Sequence, residues 1–101
     1  MTENGIVMKV HRTSGELLVA ACDAELLGRE LRIGAGKHIV SPSFYGSTPV
    51  SAEDLVQHLA QATIANLLGP RVVGHARRAG LIQSEGTGTL DGIPHAEIVR
   101  L

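Results

Sequence analysis

Along this chain, apolar residues recur with a strand-like period near both ends and with a helix-like period in the middle. Ile6, Met8 and Val10 alternate with Val7, Lys9 and His11, the pattern of a strand with one core-facing side. Residues 17–22 (LLVAAC) are apolar on both faces, which suits a central strand. The intervening RTSGE has hairpin length, and Gly15 is free to take a positive φ. Asp23 is expected to cap a single helical turn over AELLG, closed near Gly28. Residues 29–36 alternate weakly and end in a Gly-rich turn. Residues 37–41 are expected as a third strand, and SPSFYGSTP, with two prolines and a glycine, as loop.

The middle of the chain reads as a helix pair. Ser51 followed by Asp54 resembles a capping box, with Asp in place of Glu or Gln. From there Leu55, Val56, Leu59, Ala60, Ala62, Thr63 and Leu67 span a wide apolar arc on a helical wheel, opposite Asp54, Gln57, His58, Gln61 and Ala65. Gly69 is expected to stop this helix, and Pro70 to open a second one over roughly 70–79. Val72, Val73, Ala76 and Ala79 form its apolar stripe, and Gly80 ends it. After a loop of Ser, Gly and Thr comes a second hairpin, near 87–90 and 95–101, with Asp91-Gly92 as its turn. The expectation is a single α+β domain over residues 1–101. It has a small, mostly antiparallel sheet (two hairpins plus a middle strand) packed against a helix pair. The pattern does not fix the strand order.

Composition narrows the functional classes. Hydrophobic residues make up 44 % of the chain, but there is one Phe, one Tyr and no Trp, so the core must be aliphatic. The lone Cys22 excludes an intramolecular disulfide and a thiolate zinc cluster within one chain. No run approaches the ~18 apolar residues of a membrane-spanning helix. MTENGIVMKV carries an acid and an amide where a secretory leader carries positive charge. A soluble cytoplasmic protein is expected.

The clearest charge feature is a thirty-residue stretch, 55–84, without a carboxylate, in a chain of formal net charge -1. It holds His58, Arg71, His75, Arg77 and Arg78. Arg71, His75 and Arg78 fall on one side of the second helix. Guanidiniums two turns apart, ~10 Å along the axis, can bridge neighbouring phosphates. Free N–H groups at the helix start near Arg71 also favour an anion. The same pattern fits a solvated face that keeps an aliphatic helix soluble. The order helix–Gly-Pro–helix–hairpin resembles a winged helix, but the first strand pair and the absent third helix count against that.

Asn66 falls on the apolar arc of the first helix, where a buried amide must find partners. It is expected to tie a loop near the helix end or to contact a ligand. The five histidines show no metal-binding spacing, although His11, His95 and Cys22 could converge in the sheet. Neither Ser14, Ser41 nor Ser43 has a nucleophile context, and GTGTLDG is Gly-rich without the Lys-Ser/Thr ending of a phosphate loop.

HRTSGELLVAACDAELLG, SPSFYG, ATIANLLG, AGLI and GIPHAEIV, in this order, resemble a small archaeal family catalogued as domain of unknown function 424. The likeness covers nearly the whole chain. It implies an archaeal cytosolic protein without assigned chemistry, associated with information-processing proteins, and it supplies no catalytic or binding residues. Cys22, Asp23, Tyr45, Gly46, Asn66, Gly69, His95 and Ala96 lie in its motif segments.

The leading functional expectation is a noncatalytic binding module for RNA or a ribonucleoprotein, with Arg71, His75, Arg77 and Arg78 at phosphates. No metal and no cofactor are expected. The alternatives are a protein–protein adaptor or assembly subunit, and a small enzyme or metal site around Tyr45, Asn66 and His95.

Overall fold

In the computed structural model, residues 5–82 and 87–100 are described. The loop expected at 83–86, the four N-terminal residues and Leu101 lie outside the described residues. The first hairpin forms as expected and is longer, with strands Ile6–Thr13 (β1) and Glu16–Asp23 (β2) joined at Ser14-Gly15, where Gly15 has φ 72°. Asp23 leads into one 3-10 turn, Ala24–Leu26. The chain then builds a second small hairpin, Glu30–Ile33 (β3) and Gly36–Ile39 (β4), which forms a separate two-stranded sheet.

SPSFYGSTP is more ordered than its prolines suggest. Ser41 caps a four-residue helix, Pro42–Tyr45 (α1), its hydroxyl accepting from the Ser43 N–H at 3.1 Å, with Pro42 in the first turn. Pro49–Val50 (β5) then adds a short strand to the edge of β1. The helix Ala52–Gln61 (α2) starts at the predicted cap, where the Ser51 hydroxyl accepts from the Asp54 N–H at 3.0 Å.

The expected helix does not continue to Gly69. It stops at Gln61, Ala62 turns extended, and Ile64–Leu68 forms a strand (β6). β6 runs parallel to β2 and antiparallel to the last strand, so it lies between two strands and under both layers. Ala65, Leu67 and Leu68 are buried while Ile64 and Asn66 are half-buried, and so short a mostly apolar run cannot be separated from a helix by periodicity. Two side chains enforce the change. Arg100 donates to the Leu59 and Ala62 carbonyls at 2.8 and 2.6 Å, sealing the end of α2. The Thr63 hydroxyl accepts from Leu17 N–H and donates to Leu17 C=O, pinning the start of β6 to β2.

The second helix, Pro70–Arg78 (α3), and the final hairpin, Thr87–Leu90 (β7) and Ile93–Val99 (β8), are present, with the last strand starting and ending two residues earlier than expected. The Asp91-Gly92 turn has φ 53° and 79°, the left-handed pair that such hairpins need. The main sheet has the order β5-β1-β2-β6-β8-β7. The two long hairpins therefore share one sheet, and the middle strand is β6 rather than 37–41. All pairings are antiparallel except β2–β6.

One sheet face carries α2 and α3 over a core of Leu55, Leu59, Leu67, Val72, Val73 and Ile98. This core stripe is narrower than the expected arc: Ala60 and Ala79 are exposed, while Leu55, Leu59, Ala62, Val72, Val73 and Ala76 are buried. The other face carries the β3–β4 hairpin and α1 over a smaller core of Val7, Cys22, Leu31, Val40 and Leu68.

Asp23 links these layers. Its carboxylate makes no bond to the turn that follows it. Instead Oδ2 accepts from the Arg71 N–H at 3.0 Å and Oδ1 from the Val72 N–H at 3.1 Å, so Asp23 caps α3 from 48 residues away. The carboxylate is wholly buried, and Gly69 makes its approach possible. Gly69 has φ 119° and ψ 151°, a glycine-only conformation, and a Cβ there would lie 2.5 Å from the Asp23 carboxyl carbon.

Gly69→Ala should cost about 2–3 kcal/mol through that clash and the strained φ. Asp23→Ala should cost about 2–4 kcal/mol by leaving two buried N–H groups unpaired. Urea unfolding followed by circular dichroism measures both. Burial pushes the Asp23 carboxyl above its ordinary value near 3.8, while the Arg71 and Val72 N–H groups pull it down. The stability tied to this shift is therefore fully present below the unfolded value and lost as pH rises through the folded one. Relative to Asp23→Asn, the wild type should lose stability as pH rises from acid toward neutrality.

Candidate functional site

Two surfaces hold the candidate residues. The first is α3. Val72, Val73 and Ala76 face the core, which leaves Arg71, His75, Arg77 and Arg78 on the outer side. Arg71 does not face open solvent as a free cation. Its guanidinium bonds Glu25 in the 3-10 turn and lies 3.6 Å from the Asp23 carboxylate. The Arg71 hydrogen bond in turn holds the Glu25 carboxyl below the usual carboxylate range. The N-terminal amides of α3, expected as an anion site, are occupied by the protein's own Asp23.

The C-terminal half of α3 differs. Arg77 and Arg78 are exposed, and among the described residues neither has an acidic partner. Arg78 donates to His75 Nδ1 at 3.1 Å, and its guanidinium lies over Gly74. Cations here also complement the negative end of the helix dipole.

The second surface is the sheet face opposite α2 and α3. Strand register aligns residues in rows across it, because residues of one parity share a face. Lys9, Ala20, Asn66 and Glu97 form one row across β1, β2, β6 and β8. Val7, Cys22, Leu68 and His95 form the row on one side of it. His11, Leu18, Ile64 and Val99 form the row on the other. Asn66 therefore ties no loop at a helix end. It is half-buried in the middle of a sheet, diagonal to His95 at roughly 7–8 Å.

α1 rides on this face. Lys9 Nζ donates to the Ser43 carbonyl at 3.0 Å, His11 Nε2 donates to the Phe44 carbonyl at 2.8 Å, and the His11 and Phe44 rings stack at 5.3 Å. Tyr45 packs against the smaller core that contains Val7, Cys22 and Leu68. Burial pushes its phenol up, with Cys22 and Glu97 adding to the effect. Tyr45, Asn66 and His95, far apart in sequence, thus share one face. Glu97 joins them through its pairing with Asn66, and its spacing of two residues from His95 was the signal available beforehand.

Zinc chemistry does not fit this face. Leu68 lies between Cys22 and His95, so their backbones are two strand spacings apart, about 10 Å. His11, on β1, sits in a row four residues along the strands from the Val7–Cys22 row, about 13 Å away. Among the described residues no group of three or more His, Cys, Asp or Glu side chains is placed to hold a metal ion. Cys22 is wholly buried, and burial pushes its thiol up to about 12, with Asp23 and Glu25 adding to the effect. Iodoacetamide at mildly alkaline pH should leave Cys22 unmodified in the folded protein and alkylate it fully in urea, as read by mass spectrometry. Prompt labelling of the native protein would contradict this burial.

A six-stranded, mostly antiparallel sheet with a helix pair on one face and a small hairpin on the other defines a small α+β domain. The same fold occurs in an uncharacterised conserved protein from Methanopyrus kandleri. That structure matches with a TM-score of 0.81 at 24 % identity, over 96 % of this chain and 94 % of the other. The chain belongs to the family described as protein of unknown function (DUF424), whose sequence model matches residues 11–101. No curated protein matches it. Among the described residues no helix is long and apolar enough to cross a membrane.

Proposed function

We propose that this protein is a noncatalytic RNA-binding module that holds backbone phosphates with the C-terminal half of α3. The observation carrying this reading is the pair Arg77 and Arg78, exposed and without an acidic partner among the described residues. His75 completes the patch by accepting from Arg78 and orienting it. Arg71 plays a structural part, since Glu25 and Asp23 already meet its charge. The few aromatic rings favour backbone contact over base stacking: His11 and Phe44 stack on each other, and Phe44 meets Tyr45 edge to face.

A second reading, a small-ligand or catalytic site on the open sheet face, draws on the shared face of Tyr45, Asn66, His95 and Glu97. The arrangement offers donors and acceptors but lacks an activated nucleophile, so binding is the simpler use of it.

Titration against fluorescent total tRNA and ribosomal-RNA fragments at two salt concentrations tests the first reading. Binding should weaken with salt through counterion release. Replacing both Arg77 and Arg78 with Ala should weaken it by about tenfold or more and flatten the salt slope by about one unit per arginine. Arg71→Ala should instead lower stability. Absence of binding at low salt, or an unchanged slope in the double variant, would remove this face from the account.

A further inference from the structure

The small β3–β4 hairpin has two edges of different character. Its pairing register aligns Ile33 with Gly36, Leu31 with His38, Arg32 with Lys37 and Glu30 with Ile39. Ile33 and Gly36 close the two-residue turn, so they and Leu31–His38 are the hydrogen-bonded pairs. Arg32–Lys37 and Glu30–Ile39 are the non-bonded ones. The Val40 N–H donating to the Arg29 carbonyl at 2.9 Å has the same parity. The backbone groups of Arg32, Lys37 and Ile39 therefore point away from the hairpin. On the β3 side, the Asp91 carboxylate accepts from the Arg32 N–H at 2.9 Å, so the β7–β8 turn closes that edge. On the β4 side, the N–H and C=O groups of Lys37 and Ile39 point outward, and among the described residues no hydrogen bond is formed to them.

All four residues of β4 are exposed, including the Ile39 side chain at 60 %. A groove of about 280 Å³ lies beside the strand, lined by Leu31, His38, Ile39, Phe44, Tyr45 and Leu90 among others. Three cations, Arg29, Arg32 and Lys37, stand around the hairpin against two carboxylates: Glu30 pairs with Lys37 at 3.5 Å, and Asp91 meets the backbone N–H of Arg32. The exposed Arg29 and Arg32 guanidiniums form no ion pair among the described residues.

We propose that β4 is a docking edge for an extended acidic peptide segment of a partner protein. The segment adds as a strand to β4, exchanges main-chain bonds with Lys37 and Ile39, and sets one apolar side chain into the groove beside Phe44 and Tyr45. Outward groups two residues apart are the repeat an added strand requires, and the groove supplies a side-chain pocket. Arg29 and Arg32 select acidic residues. A second copy of this chain would bring the same arginines face to face and is disfavoured. This surface is separate from α3, and the proposal stands or falls independently of RNA binding.

The test is selection of displayed random short peptides on the immobilised protein, followed by affinity measurement with the enriched sequences. The expected peptides alternate apolar with acidic residues, and binding slows amide exchange at Lys37 and Ile39. Ile39→Pro removes an N–H that the hairpin does not use and should weaken binding roughly tenfold while leaving the fold intact; Ile39→Val should bind like the wild type. Should Ile39→Pro perturb the fold, Phe44→Ala reads the groove instead and should also weaken binding. The proposal is overturned if no peptide is enriched, if protection appears elsewhere, if both variants bind like the wild type, or if sedimentation shows the edge closed by a second copy.

Discussion

Asp23 lies at the end of β2 with no solvent access, and the first turn of α3 is arranged to receive its carboxylate. The first two amides of α3 point at its two oxygens, and Arg71 folds back toward it. A buried carboxylate without donors would be too costly to keep, so the position of α3 over the sheet is tied to this one side chain. Gly69 follows from the same requirement, since any side chain there would occupy the space of the carboxylate. The link also spans layers: Cys22 and Leu68, neighbours of Asp23 and Gly69, pack on the opposite sheet face under Tyr45 and the small hairpin. Parallel pairing of β2 with β6 brings Asp23 and the start of α3 to the same end of the sheet.

This arrangement polarises α3. Its positive end is met internally by Asp23, and Glu25 takes up the Arg71 guanidinium. What is left outside is the C-terminal pair Arg77 and Arg78, together with His75. The cationic stretch visible in the sequence is thereby divided into a structural half and an exposed half. The sheet is divided in a similar way. One face is covered by α2 and α3, and the other is only partly covered, which leaves Asn66 half-buried and Glu97 and the strand β4 exposed.

Much of the local structure was legible. Gly15, Asp91-Gly92, Ser51 and Gly69-Pro70 each mark a turn or helix start whose geometry a few residues decide. The conversion of residues 64–68 from expected helix to strand was not legible, because five mostly apolar residues are too few to show whether the period is 2 or 3.6. The stop after Gln61 depends on Arg100, 39 residues later in the chain, and the partner of Asp23 is similarly remote. For the sites, Tyr45, Asn66 and His95 were visible as residue types, but only strand register could place them on one face. The engagement of Arg71 by two carboxylates needed the fold, since neither acid is near it in sequence.

The central claim is that Asp23 holds the first turn of α3 as firmly as the core holds the sheet. Native-state hydrogen exchange at the Arg71 and Val72 amides tests it most directly, because unassisted first-turn amides of a helix exchange quickly. If Asp23 is the cap, both amides exchange only with the slow opening that also releases the β2 and β6 amides. Exchange at the rate of a frayed helix end, with the sheet still protected, would show that α3 is held by its apolar face alone and would contradict the account.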